Sequence, residues 1–222
     1  MFNMSEKVNK GDFVVVEYTG KLDDGTVFDT TDEQVAKDNQ LFSEKAKYEP
    51  AKICVGQNQL LPGLDNALVG QEISSDFEVV LEPEQAFGKR DIKKLRIVPI
   101  STFKEHNVVP QPGLTIDVDG EKGTVNRVSG GRVIVNFNHP LAGKKVTYLV
   151  KILGKITDTK EQIISFLSST MRLAADKLKV EVTEKQAQVT LPITLPAEFL
   201  EALSKELAKL VHLDKIEIKS NS

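Results

Sequence analysis

The chain has 222 residues, enough for one large domain or two to three small ones. Hydrophobic residues at 40% can fill real cores, and 27% charged residues with a net charge of −3 describe a compact chain, not a disordered one. That mild acidity argues against nucleic acid as the main partner, since phosphate contacts need a clustered positive face, and no apolar run is long enough for a membrane span.

The first element is a hairpin. Val14 to Leu22 is rich in β-branched and aromatic residues, Asp23-Asp24-Gly25 supplies the turn, and Thr26 to Thr30 returns. Residues 31–49 are polar and partly helical, with Thr31 and Asp32 placed to cap Glu33 to Lys37. Ala51 to Val55 is a short strand ended by Gly56. In QNQLLPGLDNALVGQ, Leu61, Leu64, Leu68 and Val69 recur at helical spacing after Pro62, with Gly70 as the stop. This gives a short helix with Leu64, Leu68 and Val69 facing a core. Ser75 to Leu81 alternates as a half-buried strand.

Residues 92–137 change character. Leu95 to Val98 is a strand, and Ser101 or Thr102 caps a helical turn at Phe103. Three strands, 114–118, 123–128 and 132–137, then form a meander, with turns at Asp119-Gly120 and Ser129-Gly130-Gly131. Lys145 to Leu153 alternates over nine residues. Beyond Thr157 the order is helix, strand, strand, helix, strand, enough for a small domain of its own.

Chemistry with an obvious signature is absent. His106, His139 and His212 are far apart, with neither H-x-x-x-H nor C-x-x-C, so no metal site is expected. The DVDGEKG stretch at 117–123 breaks the calcium-loop order and suits a hairpin turn better. There is no phosphate loop and no nucleophile elbow. The one cysteine, Cys54, sits in a strand as a small buried hydrophobe. With no partner for a disulfide and no apolar signal core in Met1 to Lys10, a reducing cytoplasm is the expected setting.

Four stretches in one order carry a resemblance: VVVEYTGKLDDGTVFDTT, VGQNQLLPGLDNALVG, PEQAFGKRD and NHPLAGKKVTYLV. Together they resemble FKBP-type peptidyl-prolyl isomerases, and the last resembles the SlyD-like branch in its long archaeal form. The resemblance implies an α+β chain with an FKBP-like bent antiparallel sheet wrapped on a short helix. It divides the chain into an isomerase domain of residues 1–91 plus 138–156, an inserted β-rich domain at 92–137, and a C-terminal α-β-β-α-β domain at 157–222. It implies catalytic roles for Tyr18, Phe28, Asp29, Phe87 and Tyr148, and substrate contacts for Ile53, Leu60, Leu61 and Leu64. On periodicity alone the apolar members would simply be core, and Asp29 could serve only to orient Tyr18 or a turn. Leu64 stands where short FKBPs have tryptophan. Phe87 stands where many have tyrosine, which removes one potential hydrogen bond to substrate.

The resemblance also implies a folding helper without cofactor, acting on unfolded or proline-containing polypeptides. In the insert, Ile97, Val98, Ile100, Phe103 and Val108 are the expected client contacts, with a structural spacer as the alternative. A peptide-binding chaperone with little isomerase activity is the competing function. The C-terminal domain carries no recognisable chemistry, and a homodimer contact, another partner contact and a second client site all stay open for it. His139, in NHPLAG, is expected at the seam where the chain re-enters the first domain, in a structural role.

Overall fold

The structure, a computed structural model, describes residues 6–118 and 120–220; the turn residue Asp119 lies outside them. In chain order the first elements are β1 (Phe13–Leu22), β2 (Val27–Thr30), α1 (Glu33–Asp38), β3 (Ala51–Cys54), α2 (Pro62–Leu68) and β4 (Asp76–Leu81). There follow β5 (Leu95–Pro99), α3 (Ile100–Glu105), β6 (Thr115–Val118), β7 (Glu121–Ser129), β8 (Arg132–Asn136) and β9 (Val146–Lys155). The chain closes with α4 (Thr159–Met171), β10 (Lys179–Val182), β11 (Gln186–Leu191), α5 (Ala197–Leu210) and β12 (Lys215–Ser220). It divides into two compact units, one running up to Leu81 and resuming at Val146, the other spanning Glu82–Lys145.

In the first unit β9 pairs antiparallel along β1 from Val14 to Leu22, and β4 lines its far side. The opposite edge of β1 is shared, with β3 against Phe13–Val16 and β2 against Thr19–Lys21. Register shifts at Val15/Val16 and Gly20/Lys21 are bulges, which bend a strand and sharpen its twist. The local capping signals act as read: Asp32 accepts from the Val35 N–H at 2.8 Å, and Pro62 opens α2. Leu64 and Leu68 of α2 are buried, but Val69 is exposed, because the helix stops at Leu68 and Val69 turns into extended backbone.

Residues 159–220 run α4-β10-β11-α5-β12, with β11 central between antiparallel β10 and parallel β12. They belong to the same unit as the first sheet. Ile163, Phe166 and Leu167 of α4 share one core with Phe13 of β1 and Cys54 of β3. The Cys54 thiol is fully buried, 3.6 Å from the Gly11 carbonyl, and burial pushes its pKa up to about 12. It stays a packed thiol, not a reactive thiolate.

The second unit is a four-stranded antiparallel sheet, β5-β8-β7-β6, wider at both ends than residues 92–137. Its core is Phe103, Val125, Val133, Val135 and Phe137. Neither Ser101 nor Thr102 caps α3. Pro99 is the N-cap, with an extended backbone and no side-chain bond, and the Ile100 N–H is taken by the Gly131 carbonyl at 3.0 Å. Gly120 donates its N–H to Asp117 Oδ1 at 2.9 Å, the hairpin-turn reading of that stretch.

Candidate active site

Four of the residues assigned a catalytic role converge on one sheet face. Gly20 pairs with Asp29 on one side and Tyr148 on the other, so these three form a row across β2, β1 and β9. Tyr18 lies two residues along β1, on the same face by alternation. Its ring meets Tyr148 edge-on, centroids 5.7 Å apart at 69°. Phe28 meets Tyr148 from the other side at 5.7 Å and 89°. Edge-to-face packing of this kind adds to the stabilisation that area burial gives.

Phe28 and Asp29 are neighbours in a strand and would ordinarily point to opposite faces. Pairing passes from Lys21↔Val27 to Gly20↔Asp29, leaving Phe28 as the extra residue of a bulge. That bulge brings both side chains to Tyr148: the Phe28 ring packs on it, and the Tyr148 hydroxyl donates to the Asp29 carboxylate. Asp29 thus accepts from the Tyr148 hydroxyl and from the Thr30 backbone N–H.

Burial sets the electrostatics. It raises the Asp29 pKa, while donation from the Thr30 backbone N–H and the Tyr148 hydroxyl pulls the other way without cancelling it. Burial pushes the Tyr18 phenol up to about 12, with the Asp29 charge adding to it. Tyr148 rises for the same two reasons and through Tyr18 as well. Both phenols therefore keep their protons at neutral pH and can act only as hydroxyl donors or acceptors.

Of the substrate contacts, Leu64 is buried beneath the helix surface, and Leu61 is the half-buried N-cap of α2, its carbonyl accepting from Asp65 N at 2.9 Å. Ile53 and Leu60 line a cavity of about 700 Å³ that reaches Tyr18 and is closed on its far side by α4. Phe87 lies in the second unit, stacked on His139 with centroids 4.6 Å apart and the rings 4° from parallel. His139 Nδ1 accepts from the Leu141 N–H at 3.2 Å, and beside it Asn138 bonds both the N–H and the carbonyl of Asp91. NHPLAG is therefore not the expected seam: it lies inside the second unit, and the chain re-enters the first at Val146.

The five expected client contacts of the insert separate. Phe103 is core, and Val98, Ile100 and Val108 are half-buried against that core. Only Ile97 is exposed, at 63%. The larger exposed apolar residues are Ile92 at 82% and Val109 at 83%, with Leu95 also at the surface. Among the described residues no His, Cys, Asp or Glu side chains group to hold a metal, and no helix is long and apolar enough to cross a membrane.

Residues 4–104 match the FKBP-type peptidyl-prolyl cis-trans isomerase family, and residues 96–141 match the family described as FKBP26, IF domain. The short-type peptidyl-prolyl cis-trans isomerase of Methanocaldococcus jannaschii is 34% identical over 149 residues, 67% of this chain and 94% of that protein. The chain belongs to the FKBP-type peptidyl-prolyl cis-trans isomerase family. The FKBP-type 16 kDa isomerase of Escherichia coli K12 is 30% identical over 155 residues, 68% of this chain and 95% of its own. The isomerase SlyD of Helicobacter pylori J99 is 30% identical over 122 residues, 53% of this chain and 65% of its own.

In this isomerase one site residue escapes the sequence reading. A Cβ added to Gly20 would sit 2.7 Å from Phe28 Cζ and 3.0 Å from Tyr148 Cε1. Glycine is what lets both rings close over β1 at this point. The signal was visible as a glycine inside an otherwise β-branched strand, which marks a bulge or a close approach.

Proposed function

We propose that this isomerase acts on prolyl bonds in unfolded or partly folded polypeptides, with the second unit capturing those clients. The observation that carries the reading is the Tyr18–Phe28–Asp29–Tyr148 group: an aromatic, half-buried face with one carboxylate and two phenols that keep their protons at neutral pH.

Rotation about X–Pro breaks amide resonance, with a barrier of roughly 18–20 kcal/mol. An apolar slot disfavours the charge-separated planar amide and so favours the twisted transition state, whose nitrogen is less conjugated. A 10⁵-fold acceleration needs only about 7 kcal/mol of such differential binding. No nucleophile or proton transfer is required. Tyr18, Phe28 and Tyr148 supply the slot, Ile53, Leu60, Leu61 and Leu64 its walls and floor, and Asp29 stands beside the rotating carbonyl; for Phe87 the role is the one the family resemblance implies. The hydroxyl that binds Asp29 also fixes its orientation.

Capture by the second unit is supported by Ile92, Leu95, Ile97 and Val109, four exposed apolar side chains in one small unit. β5 carries two of them and pairs on one side only among the described residues, leaving an edge that can add an extended strand. A held client raises the proline concentration near the slot. The buried, unpaired Cys54 is in keeping with a cytoplasmic setting.

The test is a protease-coupled isomerisation assay on a tetrapeptide beside a proline-limited refolding assay. Asp29→Ala and Phe87→Ala are each expected to lower kcat/KM on the tetrapeptide by about tenfold, roughly 1.4 kcal/mol of transition-state stabilisation, at an unchanged circular dichroism spectrum. Full activity in both variants would dismantle the slot. Tetrapeptide activity near zero in the wild-type protein, with refolding still assisted, would favour a peptide-binding chaperone.

A further inference from the structure

The cavity beside Tyr18 is built by two parts of the chain far apart in sequence. Ile53 and Leu60 form one wall, and Ser168 and Arg172, at the end of α4, form the other. The walls are fixed to each other. Gln59 accepts from Cys54 N at 2.7 Å and donates to the Phe166 carbonyl at 3.4 Å and Thr170 Oγ1 at 3.1 Å, and Lys52 pairs with Glu161 at 2.7 Å. A shared core lies beneath. At about 700 Å³ the space falls within the roughly 300–1,000 Å³ of ordinary ligand sites.

Its rim is basic. Lys52 is cancelled by Glu161, which leaves Lys45, Lys47 and Arg172 facing Glu49 alone among the charged lining residues. The loop that bears the two lysines is ordered by Phe42 stacked on Tyr48 at 5.6 Å, and by the Tyr48 hydroxyl donating to the Leu41 carbonyl at 3.0 Å. Arg172 caps α4 with φ at 53°, a left-handed position that glycine fills without cost. Ser168 Oγ is the one buried side-chain oxygen or nitrogen without a hydrogen-bond partner among the described residues.

We infer that this cavity is a subsite for the client chain flanking the prolyl bond, selecting segments with acidic side chains. The inference rests on the isomerase reading above. Tyr18 belongs both to the aromatic face and to the lining of this cavity, so a chain held on that face lies next to it. Lys45, Lys47 and Arg172 are exposed, so each acts as a surface charge, and it is their grouping on one rim that favours a carboxylate. The planar fork of Arg172 suits two-point binding of a carboxylate. The C-terminal segment would thereby contribute to substrate choice as well as to the core.

The experiment uses the full chain and decapeptides with a central Ala-Pro, carrying paired Glu or paired Lys on the N-terminal or the C-terminal side. On one of the two sides the wild-type protein should show a lower KM for Glu than for Lys, with similar kcat. The preference should collapse or invert in Arg172→Glu and in the Lys45→Glu/Lys47→Glu double variant. Each exposed pair is worth a factor of about 1.5 to 5, so a charge reversal should move the KM ratio roughly three- to tenfold. The effect should shrink at high salt. A KM ratio of one on both sides in the wild-type protein overturns the inference, as does an unchanged ratio in both variants. Failure of the isomerase reading is separate: it would appear as absent turnover of a neutral tetrapeptide by the wild-type protein.

Discussion

Gly20→Ala perturbs the site through a single methyl group. The new Cβ would lie 2.7 Å from Phe28 Cζ and 3.0 Å from Tyr148 Cε1, against an ordinary contact of about 3.5–4.0 Å. Gly20 has no left-handed backbone, so the cost is steric, and both rings must move by the better part of an ångström. Overpacking of this kind costs about 1–3 kcal/mol. For a chain of this size each kcal/mol lowers Tm by about 2–4 °C, so a fall of roughly 2–12 °C is expected in calorimetry. Activity on a tetrapeptide should fall further than stability, by tenfold or more at temperatures where the variant is fully folded, because a displacement of about 1 Å in a catalytic constellation costs up to about 10²-fold. Gly20→Ala/Phe28→Leu shortens the nearer ring and should recover Tm without recovering kcat/KM. An unchanged Tm together with unchanged kcat/KM in Gly20→Ala would refute the reasoning.

Because burial raises the Asp29 pKa, the folded state holds that proton more tightly than the unfolded chain, and its contribution to stability falls as pH rises from the unfolded value through the folded one. The Tm difference, Asp29→Asn minus wild type, should therefore be more positive at pH 7.5 than at pH 3.5, as read by thermal melts in both buffers. Removing residues 92–137 and joining Asp91 to Asn138 should leave tetrapeptide turnover intact and reduce assistance to a proline-limited protein; equal rates on both substrates would contradict a capturing role. Asn138→Ala removes two bonds to Asp91 at 2.8 and 2.9 Å. It should destabilise the second unit by about 1–3 kcal/mol, with faster hydrogen exchange at the Asp91 amide.

Features set by neighbours in sequence were legible. The Asp-Gly turn, the Asp32 cap and the Pro62 start each act within four residues, and each sits where the sequence puts it. What depended on partners across the fold was not. No single-strand pattern reports that Phe28 is the extra residue of a bulge, since a bulge exists only relative to β1. Val69 continued the apolar period, but the helix ended one residue earlier. Phe103 looked like a client contact and is core, because periodicity marks an apolar residue as facing something without saying what. Residues 157–222 contain enough apolar positions for a core of their own, yet complete it with Phe13 and Cys54. The proposed catalytic group was reached through family resemblance; spacing alone would have buried it.

The points where the chain leaves and rejoins the first sheet have a consequence for how such a chain can be assembled. Leu81 and Val146, the residues on either side of the second unit, are paired rungs of β4 and β9. Within that unit Gly88 bonds Gly143, Lys94 bonds Phe137, and Asn138 bonds Asp91. Outgoing and returning strands are thus zipped from the first step, and the long excursion closes in the manner of a hairpin. Loop-closure entropy grows only logarithmically, by about 0.6 kcal/mol per doubling of length. The host sheet is therefore nearly indifferent to what the excursion contains. A fold wired this way can lengthen, shorten or exchange its passenger while the rungs beneath stay in register.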